Sequence, residues 1–135
     1  MELVEKFKAQ SLVIVGSKHD EVSKEMRRGF PSVKRFLSQK EILNVLADFK
    51  QGKRGGADPA AVASIPVSKV GYPLDTPELI RFFHAKKMEV FYWTVNEEGR
   101  MKSLVEKQAD GLISDYPDRI SRALGRPSGT GPAVD

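Results

Sequence analysis

At 135 residues, 40% hydrophobic and 30% charged, the chain is long enough for one ordinary folded domain and too apolar to be intrinsically disordered. Cysteine is absent, which excludes disulfides, thiolate metal sites and a cysteine nucleophile. The net charge of +4 is modest, and its densest patches (Lys24, Arg27, Arg28, Lys34 and Arg35, then Lys50, Lys53 and Arg54) accompany no recognisable nucleic-acid module, so they read as solvated faces.

Residues 1–10, MELVEKFKAQ, place Leu3, Val4 and Phe7 at helical spacing. Their acidic residues and lack of a continuous apolar run do not read as a secretory leader. No apolar run in the chain is long enough to span a bilayer. A cytoplasmic location is expected. Leu12-Val13-Ile14-Val15, closed by Gly16 and Ser17, reads as a strand buried on both faces. Asp20 to Arg28 is helical, with Val22 and Met26 four apart, and Gly29-Phe30-Pro31 stops it. Val33 to Leu37 is short and extended. Ser38 is the candidate N-cap of a helix over Glu41–Lys50, whose apolar face is Ile42, Leu43, Leu46 and Phe49.

Residues 51–60 form a polar, Gly-rich loop. Gly52, Gly55 and Gly56 lack the spacing and the preceding strand of a phosphate loop. Ala61 to Ile65 is a weak strand ended by Pro66. Thr76-Pro77-Glu78 starts a helix with a cap, a first-position proline and an acid in the first turn. Val90 to Val95 is a strong strand. Asn96 reads as the cap of a helix through Met101, Leu104 and Val105. Leu112-Ile113 is a short strand. Asp115 reads as the cap of a final helix closed by Gly125, and 125–135 as a disordered tail. Four strands alternating with helices imply parallel βα units. Periodicity alone leaves two architectures open: a flavodoxin-like open sheet, or half of a β/α barrel.

Two segments favour the barrel. Tyr92-Trp93-Thr94-Val95-Asn96, and after a helix Ala109-Asp110-Gly111-Leu112-Ile113-Ser114-Asp115-Tyr116-Pro117-Asp118, resemble the last two barrel strands of glycerophosphodiester phosphodiesterases. Thr76-Pro77-Glu78-Leu79, the Met88-Glu89-Val90 strand entry and Leu12 to Ser17 also resemble that family. The resemblance covers about residues 3–124 and implies one α/β domain over 1–124, the C-terminal half of a TIM (β/α)8 barrel with four parallel βα units, the fifth to eighth strands. The chain departs from the family in Lys18, where an aromatic usually follows the strand serine. It departs also in Ser64, near the place of a polar amide, and in Gln108-Ala109, where a glycine often precedes the Asp-Gly.

The resemblance implies hydrolysis of a phosphoric diester to glycerol 3-phosphate and an alcohol by two histidines and a divalent metal, Mg²⁺ or Ca²⁺. Such chemistry needs a base, an acid for the leaving alkoxide, and positive charge on the phosphoryl oxygens. The family places its His-Arg-Gly and Glu-x-Asp groups in the other half of the barrel, and this sequence contains neither. The expectation is therefore a chain with no catalytic residue, no metal ligand and no cofactor of its own, inactive in isolation. The partners expected are a glycerophosphodiester-type small molecule if the site is completed, and the complementary half or a second copy. The alternative function is a non-catalytic ligand-binding or interaction module.

Among candidate residues, His19 lies just past a strand end but in the wrong context for the family's second histidine, and reads as a solvated loop residue. His84 sits in a helix with no second ligand at i+4. Trp93 alternates with Tyr92 onto the face of Phe91 and Val95, and by the resemblance lines the substrate pocket. Ser17, at a strand end, is the second pocket-lining candidate, with a turn role equally open.

Overall fold

Short apolar runs separated by helices dictate the architecture of this computed structural model, which describes residues 1–126. The elements are α1 (Glu2–Lys6), β1 (Ile14–Val15), α2 (Asp20–Gly29), β2 (Lys34–Phe36), α3 (Gln39–Lys50) and β3 (Ala61–Pro66). They continue with β4 (Ser68–Lys69), β5 (Tyr72–Pro73), α4 (Pro77–Ala85), β6 (Glu89–Trp93), α5 (Glu98–Glu106), β7 (Gly111–Leu112) and α6 (Pro117–Ala123). Of the tail expected at 125–135, residues 127–135 lie outside the described residues. Gly125, at φ 68°, follows α6 in the left-handed conformation that favours glycine.

The main sheet has the order β1-β2-β3-β6-β7, with every pairing parallel. Spatial order therefore follows chain order. Same-handed crossovers between sequential neighbours put every helix on one face and leave the other face to the inside of a barrel. A flavodoxin-like sheet reverses direction at a switch point, and this sheet does not. The result is a curled half-barrel. Five strands stand where four were expected. The added one is β2, which lies within the Val33–Leu37 segment read as extended but not counted as a strand of the sheet. β1 is shorter than read, because Leu12 is exposed and sits in a turn.

The outward face of β3 and β6 forms the core. Ala61, Ala63, Ile65, Val90 and Tyr92 pack beneath Leu79, Ile80 and Phe83 of α4 and Met101 and Leu104 of α5. Thr76 caps α4 by accepting the Leu79 N–H. Ser38 caps α3 in a full capping box with Glu41, which satisfies two of the orphan N–H groups at the helix start.

The β1–β2 side is held differently. α2 buries only Ser23, and the residue beneath it is Arg35, 2% exposed. The Arg35 guanidinium donates to Glu41 at 3.1 and 3.2 Å, to Ser23 at 3.1 Å and to Asp58 at 3.3 Å. Ser23 in turn donates to Glu41, and Ser38 to Asp20. The expectation that Arg35 lies on a solvated face is thus overturned: α2, β2, α3 and the loop before β3 converge on it. Burial works against the ionised Glu41 carboxylate, but the Ser38 N–H, the Ser23 hydroxyl and the Arg35 charge outweigh it and hold its pKa below the usual glutamate range.

A depressed carboxyl pKa stabilises the fold fully above the unfolded value and loses that contribution as pH falls through the folded value. The melting temperature should therefore fall as the pH drops below about 4.3, and Glu41→Gln should flatten that part of the profile. Arg35→Ala should destabilise by about 3–5 kcal/mol, because it strands two carboxylates. Thermal denaturation across pH measures the first and chemical denaturation the second. A wild-type slope retained in Glu41→Gln would remove Glu41 from the account.

Candidate functional site

The inner face of the sheet carries Lys34 and Phe36 of β2, Val62, Ser64 and Pro66 of β3, and Glu89, Phe91 and Trp93 of β6, as the register dictates. At the N-terminal end, Lys34 is ion-paired with Glu89, and Val62 on the strand between is fully buried. One step up, the Phe36 and Phe91 rings meet edge to face with centroids 5.8 Å apart. Those rings need small neighbours. A Cβ at Gly111 would lie 2.6 Å from the Phe91 ring, and one at Gly16 would lie 3.0 Å from Phe36. Large residues on β2 and β6 with glycine beside them follow the layer rule of barrel interiors, in which alternate strands fill one layer.

Above this floor, at the C-terminal strand ends, lies a cleft of about 860 Å³. Both pocket-lining candidates reach it: Trp93 from the end of β6, 44% exposed, and Ser17 from the loop after β1. Ser64, Lys18 and Lys69 line it as well. The Ser17 hydroxyl accepts the His19 N–H at 3.1 Å. That is the turn role, and it leaves the hydroxyl proton free to donate elsewhere. Val95 does not share the face of Trp93. The strand ends at Trp93, alternation ends with it, and Val95 turns into the core. The Trp93–Thr94 peptide is cis.

Two elements around the cleft were not legible as such. The first is the β4–β5 hairpin, inserted between β3 and α4. Its base is tied down where the Leu74 N–H donates to the Val67 carbonyl, and the buried Tyr92 hydroxyl donates to the Leu74 carbonyl at 2.7 Å. The second is Asn96. It does not cap α5, whose N-cap is Glu97, and Asp115 does not cap α6, whose N-cap is Tyr116. Instead the Asn96 side-chain carbonyl accepts from the Ser114 hydroxyl at 3.0 Å and the Asp115 N–H at 3.1 Å, while its amide donates to the Asp115 carboxylate at 3.1 Å. The Asn96 backbone carbonyl accepts from Arg119 at 2.9 Å. Asn96 is the latch joining the strand end that carries Trp93 to the turn after β7. The two sequence segments that suggested the fold are thus bonded to each other.

The histidines stay apart. His19 is the exposed N-cap residue of α2 and makes no side-chain cap bond. His84 pairs with the Asp110 carboxylate at 2.7 Å, and that same carboxylate accepts the Val90 N–H at the start of β6, at the opposite end of the strands from the cleft. Among the described residues, no three His, Asp or Glu side chains come together as metal ligands, so the residues described do not fit a divalent-metal site. None of their helices is long and apolar enough to cross a membrane.

A sequentially ordered parallel sheet, helices outside and a cleft at its C-terminal ends, is the arrangement of a (β/α)8-barrel enzyme with part of the barrel present. Residues 4–119 match the model of the Glycerophosphoryl diester phosphodiesterase family, and the chain belongs to that family. It is 37% identical over 60 residues to "Probable glycerophosphodiester phosphodiesterase 2" of Mycobacterium tuberculosis, covering 44% of this chain and 23% of that protein. It is 27% identical over 129 residues to "Uncharacterized protein YqiK" of Bacillus subtilis, covering 92% of this chain and 48% of that protein. The crystal structure of a glycerophosphodiester phosphodiesterase from Parabacteroides distasonis superposes with a TM-score of 0.61 at 19% identity, over 92% of this chain and 48% of that one. That likeness shows the shared fold. The chain spans less than half the length of the curated relatives it matches.

Replacing Asn96 tests the latch. Asn96→Ala should cost about 1–3 kcal/mol, from partners left unsatisfied. Asn96→Asp should set a second carboxylate against Asp115, so its deficit relative to wild type should shrink as added salt screens the repulsion. Denaturant midpoints at two salt concentrations measure both. An Asn96→Asp deficit independent of salt would mean that charge at this contact is not what matters.

Proposed function

We propose that this chain forms the substrate-holding part of a glycerophosphodiester phosphodiesterase site. The cleft takes a glycerophosphodiester, with Trp93 as its apolar wall, the Ser17 hydroxyl as a donor, and Lys18 and Lys69 as the positive charge facing the phosphate. The observation that carries the reading is the convergence of these four side chains on one cleft at the C-terminal strand ends, where barrel enzymes bind substrate. The chain alone binds the diester and does not hydrolyse it. Diester hydrolysis needs a proton acceptor and a proton donor at the reacting phosphorus, and His19 and His84 are held in unrelated places.

Trp93 is the single tryptophan, so its fluorescence reports on the cleft directly. Glycerophosphocholine should change that fluorescence saturably. Trp93→Phe should preserve binding by calorimetry, and Lys18→Ala with Lys69→Ala should weaken it about tenfold or more, with a smaller salt dependence. No turnover should appear with or without Mg²⁺ or Ca²⁺. Metal-dependent turnover that vanishes on His19→Ala would overturn the division of labour. Absence of saturable binding would sink the site itself.

The completing groups enter, on this reading, across the sheet edges. β1 pairs only with β2 and β7 only with β6 among the described residues. Neither Ile14–Val15 nor Gly111–Leu112 carries a charge or a proline to discourage pairing. Ile14, Phe36 and Phe91 on the inner face are half-buried rather than covered. The protein should therefore associate at micromolar concentration, with a complementary half or with itself. Sedimentation velocity together with dye binding measures this. A monodisperse monomer exposing no apolar surface would mean that the edges are closed within the chain.

A further inference from the structure

We infer that the cleft continues into a channel for one acyl chain, so that the diester held here is a monoacyl glycerophosphodiester. The inference rests on the diester-binding reading above and narrows its substrate class. A second cavity, of about 450 Å³, abuts the first, and the two share Leu43, Leu46, Lys69 and Leu74 as lining residues. One wall of the second cavity is α3, where Leu43, Ala47 and Lys50 lie on one stripe at helical spacing. The other wall is the β4–β5 hairpin, through Val70 and Tyr72. Its floor is Leu74 and Leu79.

The walls come from the middle of the sheet. α3 joins β2 to β3, and the hairpin directly follows β3. The channel therefore does not depend on what pairs with the edges at β1 and β7. Its charges sit at the rim: the Lys50 ammonium lies over the Tyr72 ring at 4.7 Å from the centroid, and Lys69 stands where the two cavities meet. An apolar trough leading away from a cationic junction matches a ligand with a phosphate at one end and a single hydrocarbon chain behind it.

The hairpin tip points to the same ligand independently. Val70 and Gly71 both have positive φ, 50° and 73°, the pattern of a two-residue type I′ turn, in which Asn-Gly or Asp-Gly is preferred. A β-branched residue in this conformation is an outlier that the turn itself does not favour. Val70 is also 98% exposed, so it packs no core. Its apolar side chain beside the channel mouth is accounted for by contact with something apolar that enters there.

The test uses the full chain and three probes: glycerophosphocholine, and its monoacyl forms with chains of about eight and about ten carbons, kept below their micelle concentrations. Two added methylenes in the channel should tighten binding about tenfold. Ala47→Phe fills the channel, and Val70→Asp puts a turn-compatible polar residue at its mouth. Both should flatten the chain-length dependence while leaving glycerophosphocholine affinity unchanged, which also certifies that the variants fold. Chain-length dependence that survives in both variants means the acyl chain adsorbs elsewhere, and the inference fails. Binding of glycerophosphocholine with no gain from the acyl chain also defeats the inference and leaves the diester reading standing. Failure of all three probes to bind defeats the diester reading, and this inference with it.

Discussion

Arg35 is a cation with almost no water around it, and half of the molecule is arranged to make that tolerable. An isolated buried charge costs far more than a small domain can offset. Here it is met by two carboxylates and a hydroxyl from three separate segments. The consequence is positional. α2 has little apolar surface with which to dock, so its place on the sheet follows from Ser23, Asp20 and Arg27 reaching the same cluster. The loop from β1 into α2 carries Ser17 and Lys18, so the left wall of the cleft is aimed by an ion network rather than by a hydrophobic core. Buried ion pairs are weak sources of net stability but demanding of geometry, and geometry is what a binding wall needs.

The other wall has a different cause. Trp93 ends a strand whose outward residues, Val90 and Tyr92, are fully buried. Its height above the barrel floor is set by the Phe36–Phe91 contact beneath it and by the glycines that let those rings in. Asn96 then prevents the chain after Trp93 from swinging away by bonding it to the turn after β7. One side of the cleft is thus fixed electrostatically and the other by packing plus a three-point amide latch. The hairpin, held through Tyr92 and Leu74, adds Lys69 to the lining.

The legible parts of the sequence were those whose cause is local. Thr76-Pro77-Glu78 and Ser38 with Glu41 are helix starts whose physics is complete within four residues, and the structure has them in place. The run from Val90 to Trp93 is β-branched and aromatic and forms the expected strand. The illegible parts have causes far along the chain. Lys34 and Arg35 look like surface charge until Glu89 and Asp58, distant in sequence, neutralise them, so Val33 to Leu37 read as extended without counting as a strand of the sheet. Asn96 and Asp115 each carry a side chain suited to helix capping, and local reasoning assigned both to caps. Their actual partners are each other, 19 residues apart, and tertiary bonding overrode the local preference. The β4–β5 hairpin was missed because Val70-Gly71 is not a sequence that a type I′ turn ordinarily uses.

On the proposed reading, the same logic separates binding from chemistry at this site. Side chains that hold a diester equally well before and during reaction lower the energy of both states together and leave the barrier where it was. Lysines, a serine hydroxyl and an indole wall are groups of that kind unless a proton acceptor and donor stand at the phosphorus. His84 is committed to Asp110 at the far end of the strands, and His19 faces solvent beyond the cleft. Moving His84 into place would require undoing a contact on which the fold relies, because the Asp110 carboxylate that holds it also secures the start of β6. The open edges at β1 and β7 carry no such obligation. On the reading proposed here, reacting groups are added most cheaply by pairing new strands at those edges, which leaves the cleft walls untouched. On that same reading, the half-barrel specifies the ligand while the groups that transform it arrive on other strands.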